Sequence, residues 1–298
     1  MSFIGFRDGA SLVNRGVLAS IVASALFATI FLISGSVNGT GPNEVYGWRI
    51  VLTLLVLLPV YGFIPSKRVE MLSLLSRIKA RPGLLFYGII ASGLVGVQLW
   101  LFMYAPMNGY ALATSLGYFL LPLVMVVAGG VFFAERLSHA QKIAVVLAAL
   151  GVVHQLIFAG GMAWPTLLIC LGYPLYFIAR RKARFESNAA FTLEIAILTP
   201  LAVYFIFTGA NEPGAQMLPV YAIGLLGAGA MFLYLGAAAS LSLSVFGLLS
   251  YVEPVLLLVA AVMMGEHLQL NDAFTYGPIL LALGVLAFDG FRSSKSLG

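Results

Sequence analysis

Charged residues are scarce in this chain, and their scarcity sets the class of protein. Only 9% of the 298 residues are Asp, Glu, Lys or Arg, whereas 61% are hydrophobic. A soluble domain carries roughly a quarter charged residues, so water is not the main solvent of this chain. The formal net charge of +5 does not indicate nucleic-acid binding, because long apolar runs separate the basic residues and leave no continuous basic face.

Cysteine is almost absent. Cys170 is the single cysteine and lies within an apolar run, so neither an internal disulfide nor a cysteine-based metal site can form. We interpret Cys170 as a packing residue. The sequence also lacks a His-Glu-x-x-His motif and a nucleotide-binding loop. We therefore expect no enzyme, no metal and no cofactor.

Ten apolar runs are long enough to cross a bilayer, since a spanning helix needs about 20 mostly apolar residues. They predict an all-α polytopic membrane protein with ten transmembrane helices. The N-terminal segment lacks a signal-peptide cleavage site, so we expect the first run to stay in the mature protein. We place the spans at residues 16–36, 44–64, 83–105, 109–133, 141–158, 163–180, 189–207, 218–240, 242–264 and 273–291.

The basic residues predict the orientation of these helices. With the N-terminus in the cytoplasm, all but one of the 16 lysine and arginine residues fall in segments on the cytoplasmic side, which is the positive-inside pattern. Arg49, the exception, lies inside the second span. We therefore expect a multi-pass protein of the bacterial inner membrane with both termini in the cytoplasm. The segments expected outside carry the acidic residues Glu44, Glu212, Glu266 and Asp272.

The two halves of the sequence repeat a pattern. Pro122 precedes Glu135-Arg136-Leu137 in the first half, and Pro254 precedes Glu266-His267-Leu268 in the second, with proline-to-glutamate separations of 13 and 12 residues. We expect two repeats, residues 1–158 and 159–298, with five spans each. Because five is odd, the second repeat enters the membrane upside down. An inverted repeat lets one central site face either side of a membrane.

Several segments resemble a known family. The resemblance lies in residues 115–123 (SLGYFLLPL), 135–137, 164–165 with Tyr176 and Arg180, and 249–254 (LSYVEP). These resemble the EamA branch of the drug/metabolite transporter superfamily, in particular RarD-like proteins and YddG-type amino-acid exporters. The resemblance implies ten helices in two inverted five-helix repeats around a central cavity. The YddG type implies export of aromatic and other neutral amino acids, whereas the RarD name is associated with chloramphenicol.

Polar and aromatic side chains within the predicted spans are candidate substrate-binding residues. Polar groups are costly in hydrocarbon, and aromatic rings suit stacking on an apolar solute. As a set they suit an amphipathic solute of aromatic size better than a bare ion, although packing or an interfacial belt is the alternative role for each one. The set comprises Gln98, Tyr104, Asn108, Tyr118, Trp164, Tyr173, Tyr176, Tyr234, Ser244, Ser250 and Tyr251.

Three residues are candidates for a hinge or for energy coupling. Pro122 and Pro254 each free a backbone carbonyl in the preceding turn and kink their helices, at matched positions of the two halves. Glu253 has two interpretations. In the functional one, it binds a substrate ammonium or takes up a coupling proton. In the structural one, it is protonated and makes a hydrogen bond between helices. Proton-coupled transport and facilitated diffusion both stay open.

Two further charges lie within predicted spans. Arg49 is either the counter-ion of a substrate carboxylate or an interfacial anchor that snorkels or pairs with Glu44. Glu194 lies near the inner end of the seventh span, and we expect it to pair with the basic cluster at residues 180–184. For His154 we favour a packing role over a proton relay.

The leading functional hypothesis is export of small amphipathic metabolites, aromatic and other neutral amino acids first, by alternating access. The alternative is a permease for drugs of the chloramphenicol type or for other metabolites. The expected partners are a small-molecule substrate and the lipid bilayer, with no nucleic acid. Whether two chains form a homodimer stays open.

Overall fold

Regular structure is helical wherever this structure, a computed structural model, describes the chain. It describes residues 5–134, 136–158, 161–185, 187–209, 217–241 and 249–295. A short 3-10 helix, Leu270–Asp272, precedes the last α-helix. The eleven α-helices of these ranges are α1 (Gly5–Ser36), α2 (Pro42–Phe63), α3 (Pro65–Ala80), α4 (Gly83–Met107), α5 (Ala111–Phe133), α6 (His139–Phe158), α7 (Trp164–Ala183), α8 (Asn188–Thr208), α9 (Met217–Ser240), α10 (Val252–Met263) and α11 (Ala273–Lys295).

Eight segments of the described chain are long and apolar enough to cross a membrane. They belong to α1, α2, α4, α5, α6, α8, α9 and α11. The prediction of an all-α polytopic membrane protein is therefore confirmed. The sixth predicted span, α7, falls outside the eight because three basic residues close the helix and lower its mean hydropathy. The ninth is described only as the shorter helix α10, and residues 242–248 lie outside the described ranges.

Helix boundaries follow local chemistry. Gly109 separates α4 from α5 with φ at +71°, a left-handed conformation that glycine adopts at helix ends without strain. The predicted split between the third and fourth spans therefore falls at a real turn. At the start of α8, the Ser187 hydroxyl accepts a hydrogen bond from the Ala190 N–H at 3.2 Å, which satisfies one of the unpaired first-turn donors.

The described chain divides into two compact units. Unit 1 comprises Met1–Thr29, Ala111–Cys170 and Gly229–Gly298, and unit 2 comprises Ile30–Tyr110 and Leu171–Ala228. Each unit takes helices from both predicted repeats. The repeats at residues 1–158 and 159–298 are thus a different division of the chain and stay a prediction.

Three helix pairs form the framework of the units. In unit 2, α2 packs along α8, and in unit 1, α6 packs along α11 and α5 against α10. By the numbering of the predicted spans, these pairs join the second to the seventh, the fifth to the tenth and the fourth to the ninth. Each pair therefore joins one helix from the first half of the chain to one from the second.

Two glycines bring paired helices close together. A Cβ atom on Gly47 of α2 would lie 2.6 Å from the carbonyl oxygen of Ala202 in α8. A Cβ atom on Gly151 of α6 would lie 2.6 Å from the carbonyl oxygen of Thr275 in α11. A Cβ atom and a carbonyl oxygen that are not bonded cannot lie so close together. The two pairs therefore pack backbone against backbone, as small residues allow in membranes.

The core of unit 1 is apolar and includes the cysteine. Cys170 is 4% exposed and packs with Leu116, Phe119 and Leu283, among other residues of α5, α6 and α11. Its thiol is free. The interpretation of Cys170 as a packing residue is therefore confirmed.

Candidate functional site

Unit 2 contains a buried network of three ionisable side chains. The Arg180 guanidinium donates from Nη1 to the Tyr176 hydroxyl at 2.6 Å, and this hydroxyl donates to Glu194 Oε2 at 2.8 Å. Arg180 Nε lies 3.5 Å from Glu194 Oε1. All three residues are at least nine-tenths buried. The predicted pairing of Glu194 with the basic cluster is therefore confirmed.

The same guanidinium fixes the turn between α7 and α8. Arg180 donates from Nε to the carbonyl of Phe185 and from Nη2 to the carbonyl of Ser187, each at 2.8 Å. Both carbonyls lie beyond the end of α7. The Ser187 carbonyl also accepts the first hydrogen bond of α8, from the Phe191 N–H at 3.3 Å. Arg180 thus donates hydrogen bonds to the carbonyls of the turn and also pairs with the Glu194 carboxylate. A role of Tyr176 in substrate binding stays a prediction.

Gln98 of α4 lies against Gly172 of α7. It is 2% exposed, and a Cβ atom on Gly172 of α7 would overlap its amide nitrogen. Gly172 therefore provides the space that the Gln98 amide occupies. Tyr176 follows Gly172 by one helical turn, on the same face of α7. The structure thus brings two of the predicted substrate-binding residues, Gln98 and Tyr176, to one side of α7.

Arg49 is buried inside unit 2. It is 4% exposed, and its guanidinium carbon lies 5.1 Å from the centroid of the Phe102 ring in α4. A Cβ atom on Gly227 of α9 would lie 3.4 Å from Arg49 Nε, so α9 also approaches the guanidinium closely. A snorkelling arginine would extend its head away from the protein core. This burial contradicts a snorkelling anchor. An anchor paired with Glu44 and a counter-ion for a substrate carboxylate both stay predictions.

The end of α4 carries three further residues of interest. Trp100 stacks on Tyr104 with ring centroids 4.7 Å apart and donates from Nε1 to Asn43 Oδ1 at 2.7 Å. The Asn108 amide donates to the Tyr104 carbonyl at 2.7 Å. Tyr104 and Asn108, both predicted substrate-binding residues, thus lie together at the α4 terminus. Tyr173 of α7 stacks on Phe177, with ring centroids 6.2 Å apart.

The remaining candidates that the structure describes belong to unit 1. Tyr118 is 8% exposed on α5, and Trp164 is the half-exposed first residue of α7. Tyr234 meets Phe27 edge to face, with ring centroids 6.1 Å apart. Tyr251 packs against the apolar core of the unit. Ser250 is half-buried just before α10, whereas Ser244, Glu135 and Glu212 lie outside the described residues.

The two prolines occupy different settings. Pro122 lies inside α5, as predicted. Pro254 lies in the first turn of α10, directly after Glu253, where a missing N–H costs no hydrogen bond. The described helix begins at Val252, two residues before this proline, so Pro254 belongs to its first turn. A paired hinge at Pro122 and Pro254, and a coupling role for Glu253, stay predictions.

Unit 1 also contains a small polar cavity that no pattern in the sequence predicts. Its volume is about 140 Å³. The Gln155 amide is fixed on both sides, since Thr275 donates to its Oε1 at 3.1 Å and its Nε2 donates to the Gly161 carbonyl at 3.0 Å. His154 Nδ1 lies 2.9 Å from the Thr275 hydroxyl. The cavity is lined by Leu112, Ala113, Leu116, Gln155, Ala163, Thr166, Asp272 and Tyr276.

Glu266 connects the segment after α10 to the start of α5. Its carboxylate accepts hydrogen bonds from the backbone N–H groups of Ala111 at 2.6 Å and Leu112 at 2.8 Å. These donors have no partner within α5, and a negative charge is favourable at a helix N-terminus. The repeated glutamate of the second half is therefore a helix cap in unit 1.

Comparison with known proteins assigns the family. Residues 14–157 match the EamA-like transporter family. An uncharacterized transporter of Haemophilus influenzae is 34% identical over 282 residues, which cover 93% of this chain and 94% of the relative. This chain belongs to the EamA-like transporter family. It is a multi-pass membrane transporter and not an enzyme.

Two further relatives carry the name RarD, and a solved structure shares the fold. The chloramphenicol-sensitive protein RarD of Pseudomonas aeruginosa is 35% identical, with 94% of this chain and 95% of the relative aligned. Protein RarD of Salmonella typhimurium is 30% identical over 74% of this chain and 78% of its own length. A solved crystal structure that is 20% identical superposes with a TM-score of 0.59, over 93% of this chain and 98% of the other. The latter likeness establishes the fold alone.

Proposed function

We propose that this transporter exports small amphipathic metabolites, aromatic and other neutral amino acids first, by alternating access through two inverted five-helix repeats. The helix pairs α2–α8, α5–α10 and α6–α11 carry the proposal, because each joins helices at the same position of the two halves. A two-fold relation between inverted repeats brings counterparts together in this way. The family match over residues 14–157 supports a first repeat that ends near residue 158.

Buried polar groups in unit 2 support an amphipathic solute. Arg49 offers a planar guanidinium suited to a carboxylate, and the Phe102 ring beside it restricts its orientation. Gln98 offers an amide to a polar group of the solute. We assign the solute carboxylate to Arg49 and a hydrogen bond to Gln98. Tyr176 offers a ring near Gln98 for an apolar side chain.

A drug permease is the second candidate. The relative from Pseudomonas aeruginosa carries the name chloramphenicol-sensitive protein RarD, and chloramphenicol also joins an aromatic ring to polar groups. The same buried groups would suit such a solute. Only a transport measurement separates the two candidates.

Proteoliposomes loaded with radiolabelled phenylalanine or tryptophan test the proposal. We expect release several-fold faster than from protein-free vesicles, and slower release with the Arg49→Gln variant because the carboxylate loses its counter-ion. Release at the protein-free rate would refute the amino-acid proposal. If the vesicles release chloramphenicol but no amino acid, the drug permease replaces the amino-acid exporter as the proposed function. An imposed pH gradient, with wild type and Glu253→Gln compared, separates proton coupling from facilitated diffusion.

The Gln98–Gly172 contact gives a test at the level of one side chain. We expect Gly172→Ala to push the Gln98 amide out of its place, because the added Cβ needs the same space. Loss of one hydrogen bond to the solute corresponds to about a fivefold weaker apparent affinity. We expect Gln98→Ala to cause a similar loss, and Gly172→Ala to add nothing in the Gln98→Ala background.

The matched control is Gly93→Ala on α4, where the new Cβ meets no atom within 4 Å. Apparent KM for phenylalanine release is the readout, with thermal unfolding measured on every variant. If the losses of apparent affinity from Gly172→Ala and Gln98→Ala add in the double variant, Gly172→Ala does not act by displacing the Gln98 amide.

A further inference from the structure

Helix α3 lies at the membrane surface for geometric reasons. It follows α2 after Ile64 alone and is joined to α4 by Arg81 and Pro82. Because α2 and α4 are both candidate spans, such short joins keep α3 at the membrane end of the two helices. By the predicted spans, these residues belong to the segment between the second and third spans.

One side of α3 is fixed to unit 2 by apolar packing. Leu74 is 3% exposed and packs in a cluster with Tyr61, Phe185 and Ala189. Met71 and Ile78 lie against the same cluster. These three residues of α3 are spaced at i, i+3 and i+7, and so share one helical face. This face is already covered by the protein.

Polar contacts hold the same side. Arg77 donates to the carbonyls of Arg184 at 3.1 Å and Ala183 at 3.4 Å, at the end of α7. The Glu70 carboxylate accepts from the Ala189 N–H at 3.2 Å and from Lys67 at 2.9 Å. Burial raises the pKa of Glu70, but these donors outweigh it and lower the pKa below its ordinary value. Glu70 therefore stays ionised at neutral pH and keeps α3 docked on α8.

The opposite side of α3 is a stripe of apolar and basic residues. Leu72 and Leu75 are 53% and 45% exposed, and the exposed side chains of Arg68 and Lys79 lie before and after them. Residues 68, 72, 75 and 79 have the spacing i, i+4, i+7 and i+11, which places them on one face. Val69 beside the stripe is 66% exposed. Exposed leucines flanked by two cations suit the boundary between acyl chains and headgroups.

We propose that α3 is an interfacial helix whose exposed stripe binds anionic phospholipids, with Arg68 and Lys79 on the phosphate groups and Leu72 and Leu75 among the acyl chains. The two basic residues are about 16 Å apart along the helix, which leaves room for a headgroup at each. Their aliphatic stems cover apolar surface while their charged ends reach the phosphates. A second copy of α3 would bring like charges together, so charge complementarity favours lipid over a partner α3.

Native mass spectrometry of delipidated protein, titrated with phosphatidylglycerol or phosphatidylcholine, tests the proposal. We expect wild type to retain phosphatidylglycerol preferentially, and the Arg68→Gln/Lys79→Gln variant to retain at least tenfold less, since each basic residue near an anionic surface contributes to binding. Inorganic phosphate at equal concentration should not displace the lipid, because it cannot engage Leu72 and Leu75.

The matched control is Arg136→Gln/Lys142→Gln, which removes two exposed basic residues outside α3. We expect its lipid retention to stay within twofold of wild type. Equal losses in both double variants, or no preference for phosphatidylglycerol in wild type, would overturn the proposal. So would a disulfide-linked dimer of Leu72→Cys in a Cys170→Ser background. Circular dichroism and gel filtration confirm that each variant is folded.

Discussion

Glu194→Ala is expected to destabilise the protein by about 3–5 kcal/mol, which is the usual cost of removing one partner from a buried ion pair. The variant leaves the Arg180 guanidinium buried beside Tyr176 without the carboxylate that now balances its charge. Arg180 would then have to stay buried with its charge unbalanced, or break its hydrogen bonds to the carbonyls of the α7–α8 turn. The free energy of unfolding, measured by denaturing-detergent titration in mixed micelles, checks this expectation.

Lys182→Ala is the control for this prediction, because it removes an exposed cation from the same end of α7. We expect it to change stability by less than about 1 kcal/mol. The double variant Arg180→Met/Glu194→Leu should recover only part of the loss. It removes both charges together, but it also removes the hydrogen bonds from Arg180 to the carbonyls of Phe185 and Ser187. If Glu194→Ala and Lys182→Ala lower stability equally, the buried network does not stabilise the fold.

Gly47→Ala and Gly151→Ala are expected to cost about 1–3 kcal/mol each, the range seen when a well-packed site receives an extra methyl group. In both, the new Cβ would lie 2.6 Å from a backbone oxygen of the paired helix. A backbone oxygen cannot rotate away as a side chain can, so α8 or α11 would have to move away from the helix against which it packs. Thermal unfolding in detergent gives the change in stability.

Two glycines serve as matched controls for these substitutions. A methyl group added to the Cα of Gly93 in α4, or of Gly284 in α11, would meet no atom within 4 Å. Alanine is favoured over glycine in a helix by about 1 kcal/mol, so Gly93→Ala and Gly284→Ala should be neutral or stabilising. Losses of equal size at all four positions would mean that glycine is needed for its backbone freedom and not for close helix packing.

Features that depend on local composition are visible in the sequence. Bilayer thickness fixes the length of an apolar run, so eight predicted spans coincide with helices of sufficient length and hydropathy. The pairing of Glu194 with the basic cluster follows from the high cost of an isolated charge in hydrocarbon. Both predictions need only the neighbouring sequence and the nature of the solvent.

Features that depend on packing are not visible there. The polar cavity combines Gln155, Thr166 and Tyr276 from three helices, so the spacing of residues within any one helix cannot predict it. The start of α10 at Val252 likewise has no local signal beyond Pro254, which also suits a kink in a continuous helix. The docked helix α3 owes its position to contacts with residues more than 100 positions away.

The carboxylate of Glu266 has a mechanical consequence. It lies three residues after the end of α10 and holds the first two N–H groups of α5, while α5 and α10 also pack along each other. A tilt of α10 that preserves these bonds must carry the leading edge of α5 with it. A change in the tilt of α10 is therefore coupled, through a single side chain, to the start of α5.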